Sequence, residues 1–251
     1  MKKNFFNIVF ASFLLLLIAS CSVDSPEKPI NPKSLLSGTI LIPIPETTSP
    51  TTVKEINYLA LGDSYTIGQS VCETCRFPEQ LKKSLGNVNS LKIIAQTGWT
   101  TTNLISAINT QNPTPNYDLV TLLIGVNNQY QNIPFSVYEN EFPELVNKAI
   151  ALGKGDKNNV IIVSIPDYAY TPYGKQYGNQ SKISTEIDRY NAFAQKYCLD
   201  NNIEFITITD ITRQGLLNPL LVATDGLHPT ELAYSYFVER ILPKAKIAVQ
   251  N

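Results

Sequence analysis

From Asn57 onward the chain alternates short apolar runs with longer segments of helical spacing, and this alternation limits the possible folds more than any other feature. The runs YLALGD, LKIIAQT, YDLVTLLIG, NVIIVSIPD and IEFITITD are rich in Ile, Leu and Val and read as strands apolar on both faces. Between them lie FPEQLKKSLG, TTNLISAINT, SVYENEFPELVNKAIALG and SKISTEIDRYNAFAQKYCLDNN, and a final helical segment, PTELAYSYFVERILPKA, closes the chain. Strands buried on both faces and separated by helices predict a parallel sheet covered on both sides. With right-handed crossovers this becomes a three-layer α/β/α sandwich around five parallel strands. Reactive groups in such sheets collect beyond the carboxyl ends of the strands. Catalytic side chains are therefore expected just after the apolar runs.

The segment before this alternation has a different character. Residues 1–20 combine Lys2 and Lys3 with the apolar stretch FFNIVFASFLLLLI and end in IAS before Cys21. The apolar stretch is short for a membrane span. The junction resembles the lipobox of a bacterial lipoprotein signal, which implies removal of residues 1–20 and lipidation of Cys21. Residues 22–55 hold six of the 16 prolines and many Ser and Thr, so residues 21–55 read as a lipidated N-terminus and tether. Extended, such a tether spans on the order of 100 Å. The apolar LLSGTILIPIP within it predicts that part docks on the domain that follows, residues 56–251. This reading puts the protein in the bacterial cell envelope, lipid-anchored, with the outer membrane as the expected site.

The formal charge of the 251-residue chain is −1, with no basic stripe, which argues against a nucleic-acid partner. Membrane attachment would come from acyl chains on Cys21. Of the other three cysteines, Cys72 and Cys75 form CETC. Outside the cytoplasm a structural disulfide between them is the favoured reading, ahead of free thiols and of redox chemistry. A zinc site would need about four ligands, and Cys198 with the single histidine makes a poor complement.

That histidine, His228, lies in DGLHP. Ser64 follows the first strand in GDSYTIG, and Gly62 before it is expected to allow a sharp turn. A serine hydroxyl needs a base to become a nucleophile, and the base needs an acid to orient it. Asp225, three residues before His228, can hold the ring in the useful tautomer, while Pro229 is expected at the first turn of the last helix. Acyl transfer also needs donors for an oxyanion. Gly98 in QTGW and Asn127 in IGVNN follow the second and third strands and can supply a backbone N–H and a side-chain amide. Each residue alone has a plain alternative as a turn or capping group. Their joint placement at three strand ends and one late loop is harder to explain that way.

GDS, the glycine of QTGW, GVNN and DGLHP together resemble the four blocks of the SGNH or GDSL hydrolases, in the family's order, from Leu59 to Pro229. The resemblance implies a flavodoxin-like sheet and a triad of Ser64 as nucleophile, His228 as base and Asp225 as orienting acid. It further implies an oxyanion hole of the Ser64 and Gly98 backbone N–H groups and the Asn127 side chain, with no metal or cofactor. The absence of G-x-S-x-G around Ser64 agrees with it. Asn128 stands where the family usually has Asp, which puts a local loop contact in question.

The expected activity is hydrolysis of carboxylic esters through an acyl-enzyme. With no long apolar lid evident, short acyl groups such as O-acetyl on carbohydrate are favoured over lipids. The loop PDYAYTPYGKQYGN carries four tyrosines that wall an acyl pocket, stack on a sugar ring, or pack only on one another. Two alternatives stand beside this activity. One is a lysophospholipase or thioesterase on the same scaffold; the other is a non-catalytic cell-envelope binding protein.

Overall fold

A computed structural model describes residues 54–250. The signal segment, Cys21 and nearly all of the tether lie outside the described residues. Among the described residues no helix is long and apolar enough to cross a membrane.

Five strands form one sheet: β1 (Ile56–Gly62), β2 (Val88–Ala95), β3 (Leu119–Leu123), β4 (Val160–Val163) and β5 (Glu204–Ile206). All pairings are parallel and the order is β2-β1-β3-β4-β5, the flavodoxin-like order. Tyr58 to Leu61 of β1 and all of β3 and β4 are buried, as continuous apolar runs predict. The edge strands β2 and β5 are only partly covered.

The helices divide into two layers. On one face α2 (Phe77–Leu85) packs against α9 (Glu231–Ala248); on the other α3 (Thr101–Gln111), α5 (Phe135–Leu152) and α7 (Gln180–Asn201) pack in series. Short helices α1 (Ser64–Ile67), α4 (Val126–Tyr130), α6 (Pro172–Gln176) and α8 (Thr209–Thr212) fill the connections. Between α5 and α7 the rings of Phe135, Tyr138, Phe142, Tyr190 and Phe193 interlock; those of Tyr138 and Tyr190 lie 4.6 Å apart. Aromatic pairs in such tilted and edge-on contacts add about 0.5–1.5 kcal/mol each beyond the area they bury.

The chain leaves β1 towards one face and β2 towards the other, so the two crossovers part at the carboxyl ends of β1 and β3. Gly62 at the end of β1 is in register with Ala95 of β2 and Leu123 of β3. Three strand ends therefore lie abreast, and the segments that leave them carry Ser64, Gly98 and Asn127. Gly125 lets the third segment turn at once: its φ is +129°, and a Cβ there would meet the Tyr138 ring at 2.6 Å. The expected role of Gly62 needs correcting. It is the last residue of β1 with no positive φ, and its lack of a side chain makes room for the Thr66 hydroxyl and the Leu123 carbonyl. Pro229 also differs from expectation. It pairs with Val222 in an antiparallel bridge, and α9 starts later, at Glu231, capped by the Thr230 hydroxyl.

Candidate active site

Ser64 opens α1 directly after β1 and is nearly buried, at 4% exposure. Asp63 caps that helix, its Oδ1 accepting the Tyr65 N–H at 3.0 Å. The other carboxylate oxygen is buried with no hydrogen-bond partner among the described residues. Burial pushes the Asp63 carboxyl up to about 7, against the lowering effect of the Tyr65 N–H.

Gly98 has φ +83°, a left-handed conformation that leaves open space where a side chain would stand. Asn127 lies in α4, and its Nδ2 donates to the Trp99 carbonyl at 3.0 Å. That bond fixes which way the amide points and uses one of its two hydrogens, leaving the second for a ligand. Gln131, one turn on, donates to the Gly98 carbonyl at 2.8 Å, so α4 braces the Gly98 turn as well.

Asn128 is fully buried and makes two bonds to the first residue of α3. Its Oδ1 accepts the Thr101 N–H at 3.0 Å, and its Nδ2 donates to the Thr101 hydroxyl at 2.7 Å. That hydroxyl in turn donates to the Glu141 carboxylate, which also accepts from Thr102. The amide thus serves as acceptor and donor at once, and the chain of bonds ends on the Glu141 carboxylate, 40 residues from Thr101 in sequence.

DGLHP forms the tip of a small hairpin. Ala223 N–H donates to the His228 carbonyl at 2.7 Å and Thr230 N–H to the Leu221 carbonyl at 3.1 Å. Asp225 Oδ1 accepts the backbone N–H groups of Leu227 and His228 at 2.9 and 3.0 Å. Its Oδ2 lies 2.6 Å from His228 Nδ1 and accepts the Ser70 hydroxyl at 2.6 Å. Burial works against ionisation of this carboxyl, but the bonds from Ser70, His228 and the loop backbone prevail and take it down to about 2. Asp225 is thus a fixed anion near neutral pH. A carboxylate can only accept, so the hydrogen of its contact with His228 is carried on Nδ1. The imidazole is 7% exposed and packs against the Tyr65 ring, with centroids 5.1 Å apart.

Ser64, Gly98, Asn127 and His228 line one cavity of about 170 Å3, with Tyr130, Tyr168 and Tyr173 among its walls. Asp225 stands behind the histidine. Of the four tyrosines in the loop after β4, Tyr168 and Tyr173 face the cavity, while Tyr170 lies beneath the Arg213 guanidinium. Tyr177 is half exposed and bonds to Tyr130 at 2.8 Å and Tyr173 at 3.0 Å; Tyr130 and Tyr173 close the triangle at 2.7 Å. The loop both walls the pocket and packs on itself. Cys72 and Cys75 are joined in a disulfide, while Cys198 is a buried free thiol. Among the described residues no group of three His, Cys, Asp or Glu is placed to hold a metal ion.

Sequence reading missed Ser70, Glu141, Tyr130 and the buried state of Asp63. Only Asp63 had a local signal, as the residue directly before Ser64. The other three act across folds of the chain.

Asp63 generates a prediction. Its folded carboxyl titrates above the unfolded one, so the folded protein binds the extra proton and loses stability as pH rises between about 4 and about 7. The loss amounts to about 4 kcal/mol at most. Urea unfolding of Asp63→Asn across that range is expected to show a flatter pH dependence than the wild type; an identical slope would contradict the assignment.

The sequence profile of the GDSL-like lipase/acylhydrolase family matches residues 60–236. No curated protein matches the chain. Among solved structures, a lipolytic protein of the G-D-S-L family from Veillonella parvula superposes with a TM-score of 0.58 at 17% identity, over 74% of this chain and 96% of that one. A lipase/acylhydrolase from Enterococcus faecalis gives 0.58 at 18% identity, over 76% and 95%. An acetylxylan esterase from Geobacillus stearothermophilus gives 0.55 at 18% identity, over 76% and 94%. At such identities the superpositions establish a shared fold, and the profile match over most of the chain establishes that this protein belongs to the GDSL-like lipase/acylhydrolase family.

Proposed function

We propose that the protein is a serine esterase that cleaves short acyl groups, O-acetyl on carbohydrate foremost, through an acyl-enzyme. The observation that carries this reading is the meeting of Ser64, His228, Gly98 and Asn127 around one small cavity, with Asp225 fixed behind the ring. His228 Nε2 removes the Ser64 proton as Oγ attacks the ester carbonyl. The oxyanion is held by the backbone N–H groups of Ser64 and Gly98 and by the free hydrogen of the Asn127 amide, each worth about 3 kcal/mol of barrier. The imidazolium gives its proton to the departing alcohol, and water then repeats the sequence on the acyl-serine.

Cavity size supports a short acyl group. About 170 Å3 lies below the roughly 300–1,000 Å3 typical of pockets for drug-sized ligands. The hydroxyl triangle of Tyr130, Tyr173 and Tyr177 ties α4 to α6 across one side of it. The fold is shared with an acetylxylan esterase, which makes acetylated polysaccharide the first natural substrate to try. Residues 1–20 act in this reading as a cleaved signal, and a lipid on Cys21 holds the enzyme at the outer membrane.

Two measurements test the proposal. On p-nitrophenyl esters from acetyl to palmitoyl, kcat/KM is expected to be highest at the shortest chains, and Ser64→Ala to lower it by about 10⁴-fold or more. A maximum at long chains would favour a lysophospholipase or thioesterase. Turnover on none of these esters, or turnover unaffected by Ser64→Ala, would refute the esterase mechanism and favour a binding protein. For the anchor, mass spectrometry of the mature protein from membranes is expected to find acyl chains on Cys21. A free N-terminus elsewhere would exclude the anchor.

A further inference from the structure

Asp225 takes four hydrogen bonds, and three come from its own loop: the Leu227 and His228 backbone amides on Oδ1, and His228 Nδ1 on Oδ2. The fourth, from the Ser70 hydroxyl to Oδ2, spans 155 residues. It is the one direct tie, among the described residues, between the acid of the DGLHP loop and the segment that carries Ser64. Ser70 follows α1 by three residues and reaches Asp225 in an uncommon conformation, with φ at +67°. Such a backbone persists where its surroundings fix it. Here they do: Gln69 N–H bonds to the Ser64 carbonyl at 3.0 Å, and the Gln69 side chain accepts from Thr97 at 2.7 Å, next to Gly98. On the far side the Cys72–Cys75 disulfide closes the next turn, and Arg76 donates back to the Ile67 carbonyl at 3.3 Å.

We infer that Ser70 is a positioning residue for the catalytic acid: its hydroxyl fixes the rotation of the Asp225 carboxylate so that Oδ2 faces His228 Nδ1, and it couples that carboxylate to the nucleophile segment. The inference rests on the triad reading given above. Two bonds on Oδ1 anchor one oxygen, yet rotation of the carboxylate plane is set by what meets the other. Nδ1 cannot set it alone, because the ring is itself the group to be oriented. Ser70 approaches from a different element and supplies the independent reference. The residue is exposed and absent from the cavity lining, so its loss admits water to Oδ2 without leaving a void, and substrate contacts stay as they are.

The test is a double-mutant cycle on the full chain with p-nitrophenyl acetate. Ser70→Ala is expected to lower kcat about tenfold, the worth of one hydrogen bond to a charged group, with KM unchanged. Ser70→Gly, which relieves the left-handed backbone but also lacks the hydroxyl, is expected to lose the same factor. In an Asp225→Ala background, Ser70→Ala is expected to change kcat less than about twofold, because the group it positions is gone. Equal losses in both backgrounds, full activity in Ser70→Gly, or an unchanged kcat in Ser70→Ala would each overturn the inference. Ser64→Ala, run alongside, separates the two claims: turnover undiminished there refutes the triad, whereas a loss of about 10⁴-fold in Ser64→Ala beside an unaffected Ser70→Ala refutes only the role of Ser70.

Discussion

The register of β1 between β2 and β3 is the constraint on which the site depends. Gly62 sits level with Ala95 on one side and Leu123 on the other, so three chain segments leave the sheet side by side. None of their reactive groups needs a long loop to reach the others, and two of the segments begin at the ends of the buried strands β1 and β3. A shift of this register by one residue would exchange the two buried faces of β1 and move Ser64 by about 3.3 Å relative to Asn127. The core and the site are therefore held by the same ladder. Gly125 and Gly98 allow two of the segments to turn sharply where they leave it.

Charge is distributed around Ser64 in an uneven way. Directly behind it, Asp63 is sealed from water and holds its proton far more tightly than an exposed carboxyl, while Asp225 beyond His228 is ionised down to about 2. Environment alone shifts the two carboxyls in opposite directions. One supports the start of a helix at some cost in stability near neutral pH; the other is a permanent anion against an imidazole. The Asn128–Thr101–Glu141 relay follows the same logic. A hydrogen-bond chain that starts at a buried amide on α4 ends at a carboxylate on α5.

Much of this was legible in the sequence because it is local. Five apolar runs separated by helical segments suffice for a parallel sandwich, and the rule that reactive groups follow strands points to Ser64, Gly98 and Asn127. The D-x-x-H spacing likewise contains the Asp225–His228 pair within one loop. Contacts between remote segments were not legible. Nothing near Ser70 announces Asp225, nothing near Asn128 announces Glu141, and Tyr130 joins the tyrosine loop through contacts with Tyr168, Tyr173 and Tyr177 that only the fold creates. Pro229 shows a subtler limit: proline suits the first turn of a helix, but here a bridge to Val222 holds it in an extended segment and the helix waits for the Thr230 cap. For CETC the spacing left several chemistries open, and the disulfide between Cys72 and Cys75 selects one.

The central claim is that Ser64 is activated by His228. Reaction with a fluorophosphonate tests it without knowledge of the natural ester, since the probe reports an activated serine directly. One adduct is expected, located on Ser64 by peptide mass spectrometry, with labelling slowed by at least about a hundredfold in His228→Ala, the contribution expected of a general base. No adduct, an adduct on another residue, or labelling indifferent to His228 would contradict it.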